Sequence, residues 1–236
     1  MGIPIIVPYA LPTESELPPN QVPWQPEAAR AVLLIHDMQR YFVDAFVPGR
    51  PPMTDVVDNI ALLHRRCTEL SVPVVYTAQP GGMTSAQRGL LHDFWGPGMG
   101  TEPRHREIID ELRPGERDTV LTKWRYSAFH RTELADLVRR RGRDQLLICG
   151  IYAHVGCLMT ACESFSLDIQ PFLIGDAVAD FSVEQHQMAL DYATARCGVA
   201  LSTAGALRAL AGDERQATRV PWPGKRPMVP AGDDEE

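Results

Sequence analysis

The feature that most constrains the fold is the alternation of short apolar runs with amphipathic stretches. Residues 31–35 are Ala, Val, Leu, Leu and Ile, an unbroken apolar run that stops at His36 and Asp37. Such a run suits a strand buried on both faces of a parallel sheet. Residues 54–70 then show helical spacing, with Val56, Val57, Ile60, Leu63, Cys67 and Leu70 on one face and charged residues on the other. Further strands are predicted at 72–78, 119–121, 146–151, 171–174 and 199–201. Helices are predicted at 104–112, 131–141, from near Gly156 to about Leu167, at 183–195, and in a last segment ending near Leu210. This pattern predicts an α/β chain with three α-β-α layers, a Rossmann-like arrangement around a six-stranded parallel sheet. Ligands of such sheets bind beyond the carboxyl ends of the strands, so residues just after each strand are the candidates for chemistry.

The 236 residues suffice for one domain with flanks. Residues 1–30, rich in Pro and polar side chains, read as an N-terminal arm lying over the surface. Residues 31–210 read as the single folded domain. Residues 211–236, which close on Asp-Asp-Glu-Glu, read as a disordered or surface-bound acidic tail. A net charge of -7 argues against a general nucleic-acid or membrane-surface binder, yet leaves room for a small anionic ligand held by a few local cations. The five cysteines are odd in number and form no CxxC pair, which points to a reducing, cytoplasmic setting. No run is long or apolar enough to span a bilayer, and Met1 to Pro8 does not resemble a secretory signal.

Three strand ends deliver reactive groups: Asp37 after the first, Lys123 after the third and Cys157 beyond the fourth. Two chemistries are open to them. In one, Cys157 is a nucleophile whose thiolate is favoured by a helix N-terminus and the nearby ammonium, with Asp37 as base and N–H groups near Gly156 holding an oxyanion. In the other, Asp37 is a general acid toward carbon and Cys157 is only wall. His36 and His154 lack the spacing of a metal site, so no metal is expected. Cys149, Cys162 and Trp124 read as packing residues, and Arg139, Arg140 and Arg141 as a solvated helix end.

Several segments resemble the isochorismatase family in the right order. They are His36-Asp37-Met38-Gln39, Tyr76-Thr77-Ala78-Gln79-Pro80, Asp93-Phe94-Trp95-Gly96-Pro97-Gly98, Leu121-Thr122-Lys123-Trp124-Arg125-Tyr126-Ser127-Ala128-Phe129 and Gly150-Ile151-Tyr152-Ala153-His154-Val155-Gly156, followed by the stretch from Ile169 to Ser182. The resemblance covers roughly residues 5–210. It implies no cofactor, and hydrolysis of the enolpyruvyl ether of isochorismate or of 2-amino-2-deoxyisochorismate to pyruvate and a dihydro-hydroxybenzoate or anthranilate. It places the catalytic acid on Asp37. Substrate contacts fall on Gln79, Arg88, Trp95, Lys123, Tyr126 and Tyr152, with Phe42 and Gly156 lining the pocket. Arg88 and Lys123 would hold the two carboxylates of the substrate. Family members are often dimers, so a homodimer is expected. Nicotinamidases and other amidases of the wider superfamily use an Asp–Lys–Cys triad, so Asp37, Lys123 and Cys157 also permit a cysteine-dependent amidase. That branch's metal-binding Asp and two His are missing here. A carrier role would need a further domain, and a ligand-binding homologue without turnover is the remaining alternative.

Overall fold

The computed structural model describes residues 3–212, so nearly all of the expected acidic tail lies outside the described residues. Six strands build one all-parallel sheet: β1 (Ala31–His36), β2 (Val74–Ala78), β3 (Thr119–Thr122), β4 (Gln145–Ile151), β5 (Gln170–Ala179) and β6 (Val199–Leu201), in the order β3-β2-β1-β4-β5-β6. Chain order runs outward from β1 in one direction and then resumes on its other side at β4. The carboxyl end of β1 is therefore the switch point at which a crevice opens.

Among the described residues, nine α-helices accompany the strands: α1 (Arg40–Val43), α2 (Met53–Glu69), α3 (Ser85–Arg88), α4 (Leu91–Trp95), α5 (Pro103–Arg106), α6 (Leu134–Arg140), α7 (Leu158–Ser166), α8 (Val183–Arg196) and α9 (Thr203–Leu210). The period of two along each strand divides the apolar residues between two cores. Leu33 and Ile35 of β1 join Val56, Ile60 and Leu63 of α2 and Ala206 and Leu210 of α9 on one face. Val32 and Leu34 join Leu134 and Val138 of α6, Ala161 of α7 and Leu190 of α8 on the other. Every residue of β1 and β4 is buried, as their unbroken apolar runs require. No helix among the described residues is long and apolar enough to cross a membrane.

The arm is fastened at points along its length. Ile6 bridges Phe46, the Tyr9 hydroxyl accepts the Asp180 N–H at 2.8 Å, the Asn20 side chain brackets both backbone groups of Ala200, and Glu14 pairs with Arg208.

Three elements differ from the sequence expectation. Residues 104–112 do not form one helix: α5 ends at Arg106 and a 3-10 turn covers Asp110–Leu112. Between them Ile108 forms a bridge with Gln39 and the Ile109 N–H donates to the Met38 carbonyl, so the chain is drawn out against the segment that follows β1. The helix expected from Gly156 begins with a wide π turn over Ala153–Cys157 before α7. Strand β5 runs on to Ala179, through Gly175 and Asp176, which interrupt its apolar run.

Gly150 pairs with His36, where β1 lies close against β4. Its φ is +109°, and a Cβ there would lie 2.2 Å from the His36 carbonyl oxygen. Gly150→Ala should cost about 1–3 kcal/mol or more, because both the backbone conformation and the strand spacing resist it. Urea unfolding checks this, and an unchanged midpoint would contradict the close approach.

Candidate active site

Asp37 lies one residue past β1 in a left-handed conformation, φ 51°, which Asp tolerates better than most residues. Its carboxylate is buried and surrounded by donors. Oδ1 accepts from the Thr77 hydroxyl at 2.7 Å, and Oδ2 from Gln79 Nε2 at 3.1 Å and from Lys123 Nζ at 2.9 Å. The Asp37 N–H donates back to the Thr77 hydroxyl at 3.1 Å. Thr77 lies within β2, Gln79 just beyond it and Lys123 just beyond β3, so adjacent strand ends converge on one carboxylate. Gln79 is itself fixed by the Gln39 amide, which accepts its N–H and donates to its carbonyl.

Lys123 is almost fully buried, at 2% exposure. Its three donors meet Asp37 Oδ2, the Arg125 carbonyl at 2.8 Å and the Tyr126 carbonyl at 3.4 Å. Burial pushes the Asp37 carboxyl up. The Lys123 charge opposes it most strongly and, with His36 and the hydrogen bonds, leaves it below the usual carboxylate range. His36 is also buried. Its Nδ1–H donates to the Ile151 carbonyl at 2.9 Å, and burial, opposed in part by Asp37, holds the imidazole neutral down to about 4.

A cavity of about 630 Å³ of empty space, its open mouth included, lies over this carboxylate. Asp37, Lys123, Phe42, Gln79, Arg88, Trp95, Tyr126, Tyr152 and Gly156 all line it. Trp95 Nε1 donates to the Tyr126 hydroxyl at 2.7 Å, and the Tyr152 hydroxyl donates to the Phe42 carbonyl at 2.8 Å. Gly156 packs against the His36 ring, where a Cβ would lie 2.1 Å from Cε1.

Cys157 does not join them. It is fully buried, lies outside the cavity lining and is the last residue of the π turn. Burial, reinforced by Cys149, Asp37 and Asp180 and only weakly opposed by Lys123, pushes its thiol well above the ordinary range. The thiolate that a helix N-terminus and a nearby ammonium would favour is thus opposed by the site. The donors of Lys123, a cavity-lining residue, already have acceptors within the protein.

Residues that the sequence reading did not place in the site also line the cavity: His36, Tyr41, Arg125 and Phe181 among the larger ones, and Ile3 from the arm. His36 and Phe181 each lie within two residues of a strand end, and Arg125 lies inside a family-like segment. Those were the available signals. Among the described residues no group of three or more His, Cys, Asp or Glu could hold a metal ion.

Residues 31–205 match the family model described as the isochorismatase domain. The chain is 58% identical over 203 residues to an isochorismatase of Bacillus subtilis, in an alignment covering 86% of this chain and 65% of that protein, so it spans about two thirds of that relative's length. It is 53% identical over 202 residues to phenazine biosynthesis protein PhzD1 of Pseudomonas aeruginosa, covering 86% of this chain and 97% of that one. Among solved structures, a cysteine hydrolase from Pseudomonas syringae superposes with a TM-score of 0.73 over 81% of this chain and 96% of that one. At 23% identity, that likeness concerns the fold alone.

The buried pair makes stability depend on pH. His36 resists protonation between its usual 6.5 and about 4 while the unfolded chain accepts it, so stability falls as pH drops through that window. Asp37, held low, keeps its contribution above the usual carboxylate range and loses it only at lower pH. Lys123→Met leaves the burial and removes the cation, so the Asp37 carboxyl should move up and its contribution should reverse sign. The expected deficit is about 3–5 kcal/mol at neutral pH. It should shrink, relative to the unsubstituted protein, as acid protonates Asp37. Unfolding titrations across pH check this, and a deficit independent of pH would show that Lys123 does not control Asp37.

Proposed function

Because this chain belongs to the isochorismatase family, we propose that it hydrolyses the enolpyruvyl ether of isochorismate or 2-amino-2-deoxyisochorismate and releases pyruvate, in phenazine-type or siderophore-type secondary metabolism. The observation that carries the reading is that Asp37 is the only carboxyl group lining the cavity among the described residues, while the thiol of Cys157 is excluded from it. Vinyl ether hydrolysis needs a proton delivered to the terminal methylene carbon. The resulting oxocarbenium ion takes up water, and the hemiketal collapses to pyruvate and the ring alcohol. No nucleophilic side chain is required, and a carboxylic acid facing an apolar chamber meets the need.

Asp37 is ionised in the free protein, since its carboxyl is held low. A bound dianion and the exclusion of water both raise its proton affinity, so the acid forms when substrate is present. Phe42, Trp95, Tyr152 and Phe181 supply the apolar walls that a flat ring needs, and the Tyr152 and Phe181 rings lie 4.4 Å apart. Once proton transfer leaves Asp37 negative, Lys123 stabilises it without touching substrate. The homodimer and the cytoplasmic setting expected from the sequence belong to the same proposal. The competing cysteine-dependent amidase requires the Cys157 thiolate, which burial disfavours.

The test is pyruvate release, coupled to lactate dehydrogenase, from isochorismate and 2-amino-2-deoxyisochorismate, beside ammonia release from nicotinamide. Pyruvate from either ether is expected, and their specificity constants rank the two. Asp37→Ala should lower kcat by about 10²–10⁴-fold, the range for a lost general acid. Cys157→Ala should keep most of the activity, because there it acts as a small apolar side chain. Ammonia without pyruvate, abolished by Cys157→Ala, would make the protein an amidase.

A further inference from the structure

The charges around the cavity do not balance. Asp37 and Lys123 neutralise one another at 2.9 Å, and Lys123 spends its other donors on the carbonyls of Arg125 and Tyr126. Each of its donors already has an acceptor within the protein. Two guanidinium groups remain, those of Arg88 and Arg125, and among the described residues neither makes an ion pair.

Arg88 is 7% exposed and donates through Nε to the Gly96 carbonyl at 3.0 Å. Its terminal amino groups donate to no described acceptor. Its plane lies over Gly98, where a Cβ would come 2.6 Å from Cζ, so the site leaves room for the guanidinium but supplies no counter-charge. Arg125 donates through Nη1 to the carbonyls of Gln87, at 2.9 Å, and of its neighbour Trp124, at 2.7 Å. Its Nε and Nη2 have no described acceptor. Burial, and to a lesser degree the charge of Arg125, disfavour the Arg88 cation. Holding two like charges at one cavity without a protein anion is costly, and it is offset when the ligand brings the negative charges.

We propose that Arg125 is the second carboxylate-binding residue of this site, so that the two carboxylates of a dianionic substrate are divided between Arg88 and Arg125 while Lys123 serves Asp37 alone. The inference rests on the proposed hydrolase reading for the identity of the dianion. It changes the division of labour expected from sequence, which gave the second carboxylate to Lys123. Arg125 also ties the Gln87 carbonyl of α3 to the strand end that carries Lys123, so an anion seated on Arg125 fixes the turn bearing Arg88. Lys123 uses the Arg125 backbone carbonyl, so replacing the Arg125 side chain leaves the support of Asp37 in place.

The experiment measures binding apart from turnover. Isochorismate and its two monomethyl esters are titrated by calorimetry into Asp37→Asn, with and without Arg125→Gln. In parallel, pyruvate release is followed in proteins with native Asp37. Arg125→Gln should weaken isochorismate about 10–100-fold, the range for a lost charge-assisted hydrogen bond. That loss should largely vanish for one ester, the one lacking the carboxylate that Arg125 holds. Arg125→Lys should recover part of it, because the charge is kept and the fork is lost. An equal loss for isochorismate and both esters would mean that Arg125 merely shapes the loop, and would overturn the proposal, as would no loss. Failure of Asp37→Asn and of the intact protein to bind isochorismate would overturn it together with the hydrolase reading. Binding in the expected pattern without any pyruvate would sink that reading and leave the Arg125 subsite standing.

Discussion

The buried pair of Asp37 and Lys123 is the interaction on which the rest of the site depends. Two charges taken out of water cost several kcal/mol each, and their attraction offsets that cost only if the remaining hydrogen-bonding capacity is also met. Here it is met on both sides. Thr77, Gln79 and Lys123 serve the carboxylate, and two carbonyls complete the ammonium. None of these partners is near Asp37 in sequence. They come together because β2 and β3 lie beside β1 in the sheet, and because the Lys123 N–H continues the ladder by donating to the Ala78 carbonyl at 2.9 Å.

The sheet order also decides what lies over the pair. The reversal at β1 places the end of β4 on the other side of Asp37, and the turn after β4 brings Tyr152 and Gly156 to the cavity. Gly156 is the contact that lets the turn close on the His36 ring. The thiol of the next residue is carried away from the cavity by the same turn. A chain with Asp, Lys and Cys beyond β1, β3 and β4 therefore brings two of them to the cavity wall and packs the third into a core.

The fold was legible because the strands of a doubly covered sheet must be apolar throughout, and residues 31–35 and 146–151 announce this without any knowledge of partners. Where the sequence reading slipped, a tertiary contact had overridden a local pattern. Ile108 and Ile109 fit a helical spacing, yet pair with Gln39 and Met38 in extended form. Asp176 breaks the apolar run of β5, yet it stays in the strand because its carboxylate accepts the N–H and hydroxyl of Thr203. The cavity residues were largely legible through motif resemblance, and their residue types suit the chemistry. Which donors were already occupied was not legible. Nothing in the order of residues shows that Lys123 is used up by two backbone carbonyls, or that Arg125, three residues from the end of β3, faces the same cavity.

This distribution of charge ties protonation to recognition. A cavity that holds Asp37 beside Lys123, with Arg88 and Arg125 uncompensated by protein anions, is a strongly positive environment in which a carboxylate has little tendency to take a proton. A monoanion removes only part of that field, whereas a dianion removes both uncompensated charges and displaces water from a largely apolar chamber. The rise in the proton affinity of Asp37 is then steepest for the ligand that carries both carboxylates. Under the proposed assignment, specificity need not reside only in the contacts that hold the ring. It also arises because the acid that performs the reaction forms most readily when the correct charge has been bound.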